Sequence, residues 1–164
     1  MSIDKTDNLI LEILQEEGRI SNAELSRRID LSPPPTLERV KKLENKGFIK
    51  NYVALVDPGK LGFTCFTFVE VTLVRHGSEN VERFIKAITK LDKIMECYHI
   101  TGGADFMLKI ASRDIPDYEN FILHELTALP EVQNLKTMVV LSTLKHETRF
   151  PSSTTNSNDK LTKG

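Results

Sequence analysis

The apolar residues of this 164-residue chain change their spacing at Phe48, and this change is the feature that most constrains its fold. Before Phe48 they recur every three or four positions, which is typical of helices. After it they alternate along short segments, which is typical of strands. The two patterns in succession predict an α+β protein, with a helical domain followed by a strand-rich domain.

The first fifty residues carry the signals of three helices. Asp4 and Asp7 place acids at the start of the first helix, and Ser21 with Glu24 forms a capping box that opens the second. The last two helices are joined by a tight corner, which predicts a helix-turn-helix, winged-helix-like domain over residues 1–50. The same pattern also fits other small helical bundles. The side chains expected to face the helical core are Ile10, Ile13, Leu14, Leu25, Ile29, Leu37, Val40 and Leu43.

The remaining chain divides into a linker, a second domain and a tail. Residues 51–62 form an extended segment with a Pro/Gly turn, which is typical of a linker. Residues 63–148 have the order βαββαβ, which predicts a ferredoxin-like domain. The polar stretch at 149–164 predicts a disordered tail.

The first strand of the second domain is apolar on both faces. Cys65, Val69 and Val71 alternate with Phe66 and Phe68. Because helices cover only one face of such a sheet, the other face needs a second cover. We expect a second copy of the chain, packed sheet against sheet. The alternative is that the linker or the tail folds over that face.

Charge and composition narrow the functional classes. The net charge of −1 indicates no bulk polyanion partner, but residues 39–50 carry five basic side chains against Glu44 alone. This stretch predicts a local anionic contact, and the alternative is a solvated helix face. The sequence has no membrane-length apolar run and no signal-peptide pattern, so we expect a cytoplasmic protein without membrane contact. Its two cysteines lack metal-type spacing, and we predict neither a metal nor a cofactor.

Three consecutive prolines, Pro33, Pro34 and Pro35, open the third helix. Proline is tolerated in a first helical turn because the N–H groups there have no intrahelical partner. An N-cap serine normally accepts from the N–H two or three residues further on, and here those residues are prolines. Ser32 is therefore predicted to lack a capping bond, which leaves its hydroxyl for a contact outside the chain.

The exposed side of this helix is the candidate contact surface. With Leu37, Val40 and Leu43 inward, basic side chains lie away from the core, as they do in a recognition helix that binds double-stranded DNA. The alternative is a stiff turn without a ligand. The predicted DNA-binding residues are Ser32, Pro34, Thr36, Arg39, Lys42 and Lys46.

Several motifs carry a resemblance to a known family. The segments "LQEEGRIS", "LSPPPTLERVKKLE", "GFI" and "TGGAD" occur in this order. Over residues 3–148 the chain resembles the Lrp/AsnC (leucine-responsive, feast/famine) transcription regulators of prokaryotes. The resemblance implies a sequence-specific DNA-binding regulator, a homodimer that assembles into tetramers to octamers, and an amino-acid effector bound by the second domain. Pro34 and Met138 depart from the family pattern, which often has a small polar residue and an aromatic one there.

The "TGGAD" segment suits a zwitterionic ligand. Gly102 and Gly103 allow backbone N–H groups to approach a carboxylate, and Asp105 can accept from an ammonium group. Thr101 and Thr137 add hydroxyl groups to this predicted effector site. The alternative is a glycine hairpin in which Asp105 pairs locally.

No catalytic constellation is present in the sequence. The histidines are scattered, and there is no phosphate-binding glycine motif, paired zinc-ligand set or nucleophile elbow. We therefore predict that the chain is not an enzyme. Two alternatives stay open: a siroheme decarboxylase, a class that resembles the same two-domain family, and RNA binding through the sheet, although that sheet lacks paired exposed aromatic residues.

Overall fold

The computed structural model describes residues 3–74 and 77–151. These residues form two compact units. The first contains residues 3–55 together with 145–151, and the second contains residues 56–144 apart from the gap. Of the predicted disordered tail at 149–164, residues 152–164 lie outside the described residues, whereas Arg149 and Phe150 are described and contact Glu16 and Gln15.

The first unit contains three helices, as predicted. They are α1 (Lys5–Glu16), α2 (Asn22–Arg28) and α3 (Pro33–Asn45). Asp4 caps α1 by accepting from the Asp7 N–H at 2.7 Å, and Ser21 caps α2 by accepting from the Glu24 N–H at 3.1 Å. The fully or nearly fully buried apolar side chains of the unit are Ile10, Leu25, Ile29 and Leu43.

The second unit is an antiparallel sheet with helices, in the order βαββαβ. After a 3-10 turn at Gly59–Leu61, its elements are β1 (Cys65–Leu73), α4 (Ser78–Ile88), β2 (Ile94–His99), β3 (Phe106–Ser112), α5 (Ile115–Phe121) and β4 (Val132–Val139). The strand order is β2-β3-β1-β4. This arrangement confirms the predicted ferredoxin-like topology, although β4 ends at Val139, whereas the sequence pattern suggested a strand that continues toward residue 147.

The core of this unit lies between the helices and one face of the sheet. Alternate residues of β1 are buried there, and they pack against Phe84 of α4 and Phe121 of α5. Ile85 of α4 is 40% exposed and lies outside this core. A single π-helical turn at Ile122–Leu126 follows α5. Because this wider turn bonds i to i+5, it allows both Phe121 and Leu126 to be fully buried five residues apart.

Residues 3–74 and 77–151 form neither a candidate membrane span nor a metal-binding cluster. None of the helices in these ranges combines the length and apolarity needed to cross a membrane. The same residues contain no group of three or more His, Cys, Asp or Glu side chains placed to hold a metal ion.

Candidate nucleic-acid interface and ligand loop

The corner between α2 and α3 is a short turn fixed by backbone bonds. Asp30 adopts a left-handed conformation with φ of 57°, which aspartate tolerates better than most residues. The Leu31 N–H then donates to the Ser26 carbonyl at 3.0 Å. α3 therefore starts four residues after the C-cap of α2, Ile29, as a helix-turn-helix requires.

The proline-rich start of α3 has no side-chain cap. Ser32 occupies the N-cap position with extended backbone and forms no capping bond, as the sequence predicted. The first turn is held from outside instead, because the Asn22 side-chain amide donates to the Pro33 carbonyl at 2.8 Å. Asn22 is the first residue of α2, so this bond connects the starts of the two helices. The sequence pattern did not predict this bond.

Thr36 does not face solvent, which corrects its prediction as a DNA-contacting residue. Its side chain is fully buried, and its hydroxyl donates to the Ser32 carbonyl at 3.0 Å. This i to i−4 bond satisfies the hydroxyl within the helix, which allows a polar side chain to occupy the core face.

The buried side of α3 differs from the predicted one at a single position, where Thr36 takes the place of Leu37. The inward residues are Thr36, Val40 and Leu43, whereas Leu37 is 42% exposed. The side of α3 opposite these inward residues is exposed, and it is here called the α3 face. Its members are Pro34, Leu37, Glu38, Lys41, Lys42 and Asn45. Lys41 was missed by the sequence analysis, although its spacing of seven from Pro34 would have identified it.

Arg39 makes contacts within the unit rather than lying free. Its Nη1 lies 2.6 Å from Oδ2 of Asp4 and 2.6 Å from Oδ1 of Asp7, which is buried. Hydrogen bonding to Asp4, followed by that to Asp7, raises the pKa of the Arg39 guanidinium. The Asp7 N–H, followed by Arg39, lowers the pKa of Asp4. The arginine therefore joins α3 to the start of α1, a contact that the sequence pattern did not predict.

The other predicted contact residues of α3 lie at the surface. Ser32, Pro34, Lys42 and Lys46 are exposed. Lys42 and Lys46 form no side-chain ion pair with any residue in the described ranges, so both ammonium groups face solvent. Lys46 lies at the C-cap, far from the proline-rich start.

The predicted effector segment forms the hairpin between β2 and β3. Thr101, Gly102 and Gly103 are exposed, and Gly102 has a φ of 126°, which strongly favours glycine. The Oδ2 atom of Asp105 accepts from the Leu73 N–H at 2.8 Å, so the carboxylate is partly engaged at the end of β1. This partner lies on β1, 32 positions away, so the bond is not a pairing of Asp105 within its own hairpin.

Thr137 lies elsewhere on the same sheet. It pairs with Val69 and faces the helix-covered side, where its hydroxyl bonds to that of Tyr118. Burial raises the pKa of Tyr118. Among the described residues, Thr137 forms no hydrogen bond with the hairpin that contains Gly102, so no such contact supports placing it in one site with that loop.

The second face of the sheet is partly covered by the linker. Phe66 and Ala111 pair across β1 and β3 on this face, here called the open face. They line a cavity of about 490 Å³ together with linker residues that include Pro58, Leu61 and Phe63. Further along the open face, Phe68 and Met107 are only partly buried, and Tyr98 and Met138 are exposed. The linker therefore covers one end of this face, as the alternative proposed, and leaves the remainder open.

A helix-turn-helix unit followed by a βαββαβ unit with a glycine hairpin defines a class of DNA-binding regulators with a ligand-binding domain. The sequence matches the family description "Winged helix-turn-helix DNA-binding" over residues 3–50 and "Lrp/AsnC ligand binding domain" over residues 67–150. The chain belongs to the Lrp/AsnC family of DNA-binding transcriptional regulators.

Individual relatives agree with this assignment. The leucine-responsive regulatory proteins of Escherichia coli K12 and Klebsiella pneumoniae are each 42% identical to it over 148 residues, which is 90% of either chain. A transcriptional regulator from Neisseria meningitidis, solved as an L-Met complex, is 35% identical with a TM-score of 0.88 and covers 92% of this chain and 97% of its own. LrpC of B. subtilis is 38% identical with a TM-score of 0.79, over 90% and 100% of the two chains.

Proposed function

We propose that this regulator reads double-stranded DNA with the α3 face and that an amino acid bound at its second unit modulates that binding. The observation that carries the proposal is the division of α3 into two sides. Thr36 and Leu43 are buried on one side, and Pro34 and Lys41 are exposed on the other. A helix anchored on one side and exposed on the other, at the second position of a helix-turn-helix, suits insertion into the major groove.

The chemistry of the α3 face divides into base contacts and backbone contacts. Leu37 is an exposed apolar side chain near the helix start, which suits contact with a thymine methyl group. Glu38 is an acceptor that suits the amino group of cytosine. Lys41, Lys42 and Lys46 supply cations for phosphates, and the exposed Ser32 hydroxyl adds a donor.

The hairpin at Thr101–Asp105 is the proposed effector site. Its support is the exposed glycine pair with open backbone and the adjacent Asp105 carboxylate. The L-Met complex of the N. meningitidis relative supports an amino acid as the ligand class. Thr137 is the least supported member of the proposed set, because its hydroxyl is bonded to Tyr118.

The proposed active form is a cytoplasmic homo-oligomer without catalytic activity. The uncovered part of the open face, which includes Phe68, Met107 and Met138, supports pairing with a second copy. A two-fold dimer presents two α3 faces, so we expect pseudo-palindromic DNA sites, and we expect dimers to assemble further into tetramers to octamers.

Selection from random duplex DNA, followed by an amino-acid screen, tests this function. The purified chain is expected to enrich sites with two related half-sites about one helical turn apart. The twenty amino acids are then tested for a thermal shift and for a change in affinity toward the enriched duplex. Failure to enrich any sequence over several rounds would contradict the DNA-binding part, and absence of any shift would contradict the effector part.

A further inference from the structure

The first unit is built from two separate stretches of the chain. Residues 145–151 belong to the same compact unit as residues 3–55, although the whole βαββαβ unit separates them in sequence. The stretch that precedes them has no regular structure, and its Leu141 and Leu144 are 96% and 95% exposed. The segment at 145–151, here called the C-terminal segment, must therefore be held by contacts of its own.

Two consecutive residues at the end of α1 hold two consecutive residues of this segment. The Oε1 atom of Gln15 accepts from the Phe150 N–H at 2.8 Å, and its Nε2 donates to the Phe150 carbonyl at 3.4 Å. Next to it, the Glu16 carboxylate pairs with the Arg149 guanidinium. The Gln15 carboxamide thus bonds to both the N–H and the carbonyl of Phe150. The ion pair between Glu16 and Arg149 fixes Phe150, rather than a neighbouring residue, at that position. These contacts define a register.

The surface beside these contacts is apolar and concave. A cavity of about 900 Å³ is lined by Leu11, Leu14 and Tyr52 and also by Phe150 and Pro151 of the C-terminal segment. The Phe150 side chain is nevertheless 80% exposed. The segment is therefore held mainly by its backbone and by an exposed ion pair, and contacts of that kind are weak and sensitive to salt. They suit reversible docking.

We propose that Gln15 and Glu16 form a docking site for the C-terminal segment of the same chain, which gives the DNA-binding unit a second, releasable attachment. The chain passes between the units at residues 55–56 and again at 144–145. While the C-terminal segment is docked, the connections at residues 55–56 and 144–145 both start at fixed points on the DNA-binding unit. When the segment is released, only the connection at residues 55–56 remains fixed. The conformational freedom of the DNA-binding unit then increases without a change in any residue of α2 or α3.

Amide hydrogen exchange of the full-length protein tests the docking without DNA or effector. In Gln15→Ala, exchange across residues 145–151 is expected to accelerate about three- to tenfold, as the loss of an exposed hydrogen-bond pair implies. Gln133→Ala is the matched control, because it removes the same side chain from an exposed position in β4. Equal exchange of the segment in Gln15→Ala and the parent would overturn the proposal.

Exchange of the charges at positions 16 and 149 tests whether Glu16 pairs with Arg149 and whether the docked segment comes from the same chain. Glu16→Arg is expected to accelerate exchange of the segment, and Glu16→Arg with Arg149→Glu in one chain is expected to restore its protection. Co-refolded mixtures of the two single variants carry the complementary charges on different copies. Protection that returns in such mixtures would overturn docking within one chain and assign the segment to a second copy. Because this readout involves no DNA, its failure would leave the proposed function intact.

Discussion

Arg39 of α3 lies 2.6 Å from the buried carboxylate of Asp7 in α1, and this ion pair joins α3 to the first helix of the unit. The start of α3 lacks a side-chain cap. Arg39 joins the helix to α1, and Asn22 of α2 donates a hydrogen bond to its first turn. Side chains of α1 and α2 therefore hold α3 in position.

Replacement of Arg39 is expected to reduce stability as well as DNA binding. Arg39→Ala leaves the Asp7 carboxylate buried without its cation, so the free energy of unfolding should fall by about 1–3 kcal/mol. Urea denaturation measures this change. Lys42→Ala is the matched control on the same helix and should leave the urea midpoint at the parent value. Equal midpoints for Arg39→Ala and Lys42→Ala would show that the ion pair does not stabilise the unit.

Acid should weaken the first unit partly through Asp4. The Asp7 N–H and Arg39 lower the pKa of Asp4 in the folded chain, so its contribution is present above the unfolded pKa of about 3.9 and is lost as pH falls through the lower folded value. Asp4→Asn retains an N-cap acceptor but carries no charge. The drop in the urea midpoint between about pH 5 and pH 3 should therefore be smaller in Asp4→Asn than in the parent or in Glu38→Gln. An identical drop in all three chains would exclude this role.

Substitutions of Asp105 should distinguish its contribution to stability from its role in the ligand response. Asp105→Asn retains a carbonyl oxygen that can accept from the Leu73 N–H but loses the negative charge, so its melting temperature should stay near that of the parent. Its thermal shift with an activating amino acid should be lost, because the ammonium group no longer meets a carboxylate. Asp105→Ala should lose the response and also about 0.5–1.5 kcal/mol of stability. A full ligand response in Asp105→Asn would remove Asp105 from the effector site.

The open face should determine the oligomeric state. Phe68→Glu places a charge in the middle of the partly buried side of β1, and burial of an unpaired charge between two sheets is costly. Sedimentation velocity should show a shift of this variant toward monomer with unchanged far-ultraviolet circular dichroism. Leu123→Glu is the matched control at an exposed apolar position, and it should assemble like the parent. Equal assembly of the two variants would place the interface elsewhere.

The sequence predicted what local pattern controls and missed what distant contacts control. The cap at Ser21, the absent cap at Ser32 and the βαββαβ order follow from neighbouring residues, and the structure bears them out. Leu37 was placed inward because leucine is more apolar than threonine, yet Thr36 satisfies its hydroxyl at Ser32 and takes the core position. Two other groups have partners 32 positions away, which a local pattern does not reveal.

These two groups are Arg39, bonded to Asp7, and Asp105, bonded to the Leu73 N–H. Arg39 was predicted to contact DNA, and Asp105 was predicted either to accept from an ammonium group or to pair locally; neither prediction included these bonds. Periodicity reports which side of an element is apolar, but it carries no information about which distant charge packs against that element.

The salt dependence of DNA binding tests the central claim, that the α3 face contacts a duplex, most directly. Lys41→Ala with Lys42→Ala removes two exposed ammonium groups, and Lys86→Ala with Lys90→Ala removes the same charge from exposed positions in and just after α4. We predict that the first double variant binds the selected duplex more weakly and that the slope of log affinity against log salt falls in magnitude by about two, whereas the control keeps the parent slope. Parent affinity and parent slope in the Lys41/Lys42 variant would contradict the account.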